Sequence, residues 1–301
     1  PDFAGTPVIE LDGTNAGGFA QGVNVGGSGN TVRGLVVNRF SDVGISIGAG
    51  SEGNTVEGCC VGTDVTGSVA LGNGNIGILV GQASNNVIGG TAAGARNLIS
   101  GNPEGITVVD ATATGNVILG NYIGTDITGT TALPNVTGVV VLAPGNTVGG
   151  TDPGAGNVIS GNTGNAVAFG PPNATGNLIL GNYIGVDATG TEALGNDIGV
   201  WVDNVGDNII GGTASGAGNV ISGNREGITF WETGATGNLV QGNFIGTNAA
   251  GEQTRRRSGN GLRLYMHRGW FSSGEGEQLA LVMSWWRLIP AQRPRKRLKF
   301  E

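Results

Sequence analysis

The residues best equipped for chemistry in this sequence fall into four sets. Arg33 and Arg39, with Asp42 nearby, are the best trio for proton abstraction from an acidic sugar, since the chain has no lysine and no histidine before residue 252. Glu104, Asn165 and Glu226 occupy equivalent places when the sequence is aligned on its own repeats. Acid–base hydrolysis of a glycosidic bond needs two carboxylates about 5–10 Å apart. Stacked strands put successive members of this column roughly 10 Å apart, and the two glutamates at twice that. Solvated turn positions are the simpler account of these acids.

Asp64, Asp126 and Asp187 each lie in a Gly-x-Asp-x-Thr-Gly segment, with Asn248 at the fourth place. A hard cation such as Ca²⁺ takes clustered oxygen ligands, and a ladder of such loops is one reading. The competing reading is an Asx-turn, in which each carboxylate accepts backbone N–H bonds. The fourth set is aromatic. In Gly199-Val-Trp-Val-Asp203 and Gly227-Ile-Thr-Phe-Trp231, alternation sends Val200, Val202, Ile228 and Phe230 inward and Trp201 and Trp231 outward. The two indoles are expected one coil apart and diagonally offset, with Asp203, Glu226 and Glu232 around them. Tryptophan beside carboxylates can stack a sugar ring and bond its hydroxyls. An apolar patch covered by other chain is the alternative.

What must position these residues is a repeat. Gly120-Asn-Tyr-Ile-Gly-Thr-Asp126 recurs as Gly181-Asn-Tyr-Ile-Gly-Val-Asp187 and Gly242-Asn-Phe-Ile-Gly-Thr-Asn248, 61 residues apart each time. A degenerate copy, Gly58-Cys-Cys-Val-Gly-Thr-Asp64, precedes them by 62. Asn97-Leu-Ile-Ser-Gly-Asn102, Asn157-Val-Ile-Ser-Gly-Asn162 and Asn219-Val-Ile-Ser-Gly-Asn224 interleave with them. The unit splits in two halves that open at Asn54, Asn86, Asn116, Asn146, Asn177, Asn208 and Asn238, with Asn30 opening a shorter one. Each half predicts one superhelical turn. In Asn86 to Gly115, Val87-Ile88, Leu98-Ile99 and Ile106 to Val109 read as short strands separated by Gly and Asn corners, where positive φ is tolerated. Stacked asparagines can bond to their counterparts as ladders. The expectation is an all-β fold: a right-handed parallel β-helix solenoid over residues 1–251, with three sheets and about nine coils.

Composition agrees. There are 61 glycines in 301 residues, only 12% charged residues and 5% aromatics. Glycine does not recur every third residue, which excludes collagen. Regular Val and Ile clusters argue against disorder. Residues 1–251 hold four arginines and 18 acids, 4 − 18 = −14, whereas the last 50 hold 11 basic and 4 acidic groups, +7. An acidic body without lysine repels phosphate backbones, so nucleic acid is not its expected partner. Cys59 and Cys60 are adjacent on one strand and poorly placed to bond to each other. No apolar run has membrane-spanning length, and 279–290 is too short. The chain opens at Pro1 without a signal segment and reads as a fragment or mature form.

From Glu252 the pattern stops. Thr254-Arg-Arg-Arg257, Trp270, Trp285, Trp286 and Arg293-Pro-Arg-Lys-Arg297 follow, with the single histidine, His267. This atypical basic tail, 252–301, reads as a shifted frame, a non-native extension or a disordered segment, or else as a segment that binds an acidic surface. A solenoid needs its last coil covered, and Leu279 to Ile289 is the candidate cap.

The Asn-x-Ile-Gly-Gly-Thr and Gly-Asn-Tyr-Ile-Gly-Thr-Asp signatures, with the opening Pro7-Val-Ile-Glu-Leu-Asp-Gly13, resemble the repeats of secreted bacterial β-helix proteins of the pectate-lyase-like superfamily. The resemblance spans 7–251. It implies a parallel β-helix and an extracellular or cell-surface location, but that architecture hosts lyases, hydrolases, adhesins and stalks alike. The functional expectation is a non-catalytic scaffold, carbohydrate-binding or adhesive, with polysaccharide as its partner. A polysaccharide lyase or glycoside hydrolase working along one sheet face is the alternative. No organic cofactor is called for, and Ca²⁺ at Asp64, Asp126 and Asp187 is the one metal the residues raise.

Overall fold

The computed structural model describes Pro7, residues 9–247 and the strand Leu262–Leu264. Its strands form three wholly parallel sheets of nine, nine and eight strands. The first sheet runs from Ile9–Asp12 to Phe244–Ile245, the second from Val23–Val25 to Leu262–Leu264, and the third from Thr31–Arg33 to Leu239–Gln241. The chain visits the sheets in a fixed order and returns one strand further along each time. This is the expected right-handed parallel β-helix, a handedness that parallel crossovers strongly favour. In the coil from Asn86 the strands are Val87–Gly89, Leu98–Ile99 and Glu104–Val109, in the places where the sequence suggested them.

The interior is a set of β-branched columns. Ile45, Ile78, Ile106, Val139, Val167, Val200 and Ile228 follow one another in register along the second sheet, and all are 0% exposed. Each such side chain contributes roughly 1.5–3 kcal/mol relative to leaving it in water. Branched side chains with few rotamers fit the pleated, half-buried surface that each strand offers.

The corners are held by three asparagine ladders. The first contains the residues that open the repeat halves, Asn30, Asn54, Asn86, Asn116, Asn146, Asn177, Asn208 and Asn238. The second runs Asn97, Asn121, Asn157, Asn182, Asn219, Asn243, and the third Asn73, Asn102, Asn135, Asn162, Asn196, Asn224. Asn157 is typical. Its Nδ2 donates to Asn182 Oδ1 at 2.9 Å and to the Ile118 carbonyl at 2.8 Å, while its Oδ1 accepts from Asn121 N and Nδ2. A buried amide is thereby satisfied on every side, as burial demands. Cys59 takes the place before Asn97 in the second ladder, where its N–H donates to Asn97 Oδ1. Burial pushes the Cys59 and Cys60 thiols up to about 11, and both are free.

Glycine is required where a corner closes against the next coil. Gly149 has φ +91°, and a Cβ there would strike the Leu180 carbonyl.

Parallel pairing does not end at Gly251. Leu262–Leu264 lies beside Glu226–Trp231, with Ile228 opposite Leu262 and Phe230 opposite Leu264. The second sheet therefore takes in one strand from beyond Glu252, where the repeat pattern stops. A three-residue strand among arginines carries too little alternation to be seen in sequence. Leu279 to Ile289, Trp270, Trp285, Trp286 and the 293–297 cluster lie outside the described residues.

Candidate functional site

The strand Ile198–Asp203 buries Val200 and Val202 completely, so Trp201 and Asp203 are carried on the outer face of the second sheet. The next strand, Glu226–Trp231, pairs with it in parallel, with Trp201 opposite Thr229 and Asp203 opposite Trp231. Trp231 is thus one strand further and two residues along from Trp201, the expected diagonal. The indoles stack, with centroids 5.4 Å apart and planes inclined by 25°. Glu232 follows at φ +67°, an exposed residue at the corner, and Asn204 N–H closes the turn onto the Trp231 carbonyl.

On the opposite side of Trp201 the surface drops. Its register partner there is Ala168, and Gly170 comes next to Asp203, because Phe169 pairs with Val202. One strand beyond, Val140 pairs with Ala168, and Leu142 follows it on the outer face. A Cβ added to Gly170 would lie 3.0 Å from Leu142 Cδ2, so Leu142 leans over that end of the floor. The result is a slot one strand wide. Trp201 and Asp203 form one wall, Val140 and Leu142 the other, and Ala168 the half-exposed floor, while Gly170 is buried under Leu142. The walls stand on strands about 9.5 Å apart by the usual spacing. A single sugar ring in van der Waals contact with both sides needs roughly 7–8 Å. The sequence signal was a strand whose outward residues are small between two whose outward residues are large. It is readable only once the register is known.

Two carboxylates near this slot differ in their environment. Asp203 is half-buried, and burial together with the negative charge of Glu232 raises its carboxyl above the usual aspartate value. Among the described residues no hydrogen bond or ion pair reaches the Asp203 or Glu232 side chain. Glu226, expected beside the indoles, is not part of this group. It opens its strand opposite Ile198, five residues before Trp231, and along a strand that is about 16 Å. It is 4% exposed, pairs with Arg225 Nη1 at 2.6 Å and accepts the Thr229 hydroxyl at 2.9 Å. Arg225 also grips Asp197 through Nε and Nη2, and that bond, ahead of the burial opposing it, holds Asp197 below its ordinary value.

The remaining candidates are dispersed or committed. Glu104 and Glu226 belong to one column, as aligned, but three strands lie between them, roughly 19 Å in all. Arg33, Arg39 and Asp42 do not converge. Arg33 pairs with Glu57 at 2.8 Å, Arg39 with Glu10 at 2.9 Å and Asp12 at 3.3 Å, and Asp42 accepts from Asn75. Nearness in sequence misled here because successive strands belong to different sheets.

Asp64, Asp126 and Asp187 each sit in a small antiparallel excursion, closed by the bridges Thr63–Ala70, Thr125–Ala132 and Val186–Ala193. Asp187 accepts the Thr189 hydroxyl and the N–H groups of Thr191 and Glu192, and Asp64 and Asp126 repeat the pattern. Burial pushes these carboxyls up, yet the hydroxyl and N–H donors outweigh it and hold all three below the ordinary value. The atoms around each carboxylate are donors, whereas a hard cation needs acceptors. No cluster of three or more His, Cys, Asp or Glu with metal-binding geometry occurs among the described residues. The excursions also touch one another although they recur every second coil. Ile127 N–H donates to the Gly67 carbonyl, and Ala188 N–H to that of Gly129.

No helix among the described residues is long and apolar enough to cross a membrane. In comparisons with known proteins, no family model and no curated protein matches the chain.

Proposed function

We propose that this chain is a non-catalytic scaffold of the extracellular space or cell surface that binds polysaccharide at the slot beside Trp201. The observation that carries this reading is the stacked Trp201–Trp231 pair on an outer sheet face, next to the small side chain of Ala168. An indole offers a sugar ring a broad apolar plane, and Asp203 supplies an acceptor for its hydroxyls. Rows of parallel strands suit a linear polymer, since each coil advances the surface by a constant step. The repeat signatures shared with secreted bacterial β-helix proteins support the location. The catalytic alternative gains nothing from the residues that suggested it, because Arg33, Arg39, Asp42, Glu104 and Glu226 are held apart or tied to other partners. Retention on polysaccharide gels tests the reading. Trp201→Ala is expected to weaken retention at least fivefold with the β-sheet circular dichroism preserved. Equal migration of wild type and variant across the gels would sink it.

A further inference from the structure

We infer that the slot selects glycans built from 2-amino sugars, with Asp203 and Glu232 meeting their protonated amines. This rests on the glycan-binding reading above and narrows it to a substrate class.

Sugar-stacking surfaces for neutral glycans need hydroxyl partners, which amides and single acids provide. Here the slot wall holds a half-buried carboxylate with no bonding partner among the described residues, and a second carboxylate, Glu232, on the residue that follows Trp231, the register partner of Asp203. Such a pair is unfavourable when empty and is relieved by a cation between its members. Arg225, on the strand that carries Trp231, is taken by Asp197 and Glu226 at the far end of that strand. An ammonium on a ring stacked against Trp201 would also gain from the negative face of the indole. Anionic polymers meet the opposite condition. Residues 1–251 carry 4 − 18 = −14 with no lysine, so uronate and sulfated chains are repelled on approach as well as in the slot.

The test uses the full chain on affinity gels containing glucosamine polymer, its N-acetylated counterpart, a neutral glucan and polygalacturonate. Any acidic protein gains some attraction to a polycation, so two double variants of equal charge are compared. Asp203→Asn with Glu232→Gln is expected to weaken retention on the glucosamine polymer at least tenfold. Asp152→Asn with Glu192→Gln, two exposed acids elsewhere, is expected to stay within twofold of wild type. Equal weakening by both pairs, or retention on polygalacturonate matching that on the glucosamine polymer, overturns the inference. Trp201-dependent retention on the neutral glucan or N-acetylated polymer, with no preference for free amines, rejects the amine selectivity and leaves the platform standing. No retention of wild type on any gel rejects both.

Discussion

Asp187 and Asp203 lie in the same coil, yet their carboxyls are displaced in opposite directions. Asp187 belongs to a repeated excursion that recurs at Asp64 and Asp126, and a hydroxyl and two N–H groups surround it. Asp203 belongs to a strand end without an equivalent elsewhere, faces Glu232, and has no donor among the described residues. The repeated position has been resolved into a closed hydrogen-bond arrangement. The unique one has no such donors among the described residues and lies beside a stacked indole. A solenoid separates such roles readily, because a residue that recurs in each unit meets its own counterparts, and one that does not recur meets solvent or a ligand.

The sharpest way to break the comparison is to disturb the repeat itself. Removing residues 121–181, one full 61-residue unit, joins Gly120 to Asn182 and keeps every ladder and excursion in phase. That chain is expected to unfold cooperatively with β-sheet circular dichroism intact. Removing residues 116–145, a single coil, leaves the Asp64 and Asp187 excursions an odd number of coils apart and out of contact, and it is expected to aggregate or melt far lower. Equal stability of the two deletions would show that the stacked excursions matter little.

A smaller break removes one ladder rung. Asn157→Ala strips several buried groups of their partners, including the Ile118 carbonyl and Asn121 N–H. At about 1–3 kcal/mol for each buried group left unpaired, partly relieved by relaxation, the expected loss is about 3–4 kcal/mol in denaturant unfolding.

The two aspartates give the finest test. Asp187 is 5% exposed and its folded pKa is lowered. Its stabilisation is therefore complete above the unfolded value near 3.9 and is lost as pH falls through the folded one. Asp187→Asn should cost about 1–2 kcal/mol at pH 7, with the difference from wild type shrinking below about pH 4. Asp203 has the opposite sign. Its raised pKa means the ionised form costs stability above that value, and the cost disappears as pH falls through it. Asp203→Asn should be neutral or stabilising at pH 7 by about 0.5 kcal/mol or less, given partial screening by solvent. Thermal melts of both variants at pH 3 and pH 7 check the signs; destabilisation by Asp203→Asn at pH 7 would contradict an unsatisfied carboxylate.

Much of the fold was legible because it is written repeatedly. The 61-residue spacing, the Asn-led halves and the Val-Ile clusters specify strands and corners through properties local to each residue: β-branching, tolerance of positive φ, and an amide able to bond above and below. The alternation in Gly199 to Asp203 likewise placed Trp201 outward from sequence alone. Other features were not legible. Asn73, Asn135 and Asn196 end recurring Ala-Leu-Gly/Pro-Asn segments, 62 and 61 residues apart, but nothing in those segments says that they alternate in one ladder with Asn102, Asn162 and Asn224, and Cys59 occupies a ladder place that its side chain disguises. Glu226 looked like a neighbour of the indoles because two strands were compared by sequence proximity, but its strand runs about 16 Å from that glutamate to Trp231.

By itself the sequence determined a parallel β-helix, its coil length and which residues line its interior, because those follow from periodic patterns that each unit repeats. Only the tertiary structure decided that the Asp excursions touch across two coils, that Glu226 is committed to Arg225 and Thr229, and that the small Ala168 lies beside Trp201. Each of these depends on which residue lies beside which after a full turn of the chain. That is set by strand register, a quantity that no single stretch of sequence contains.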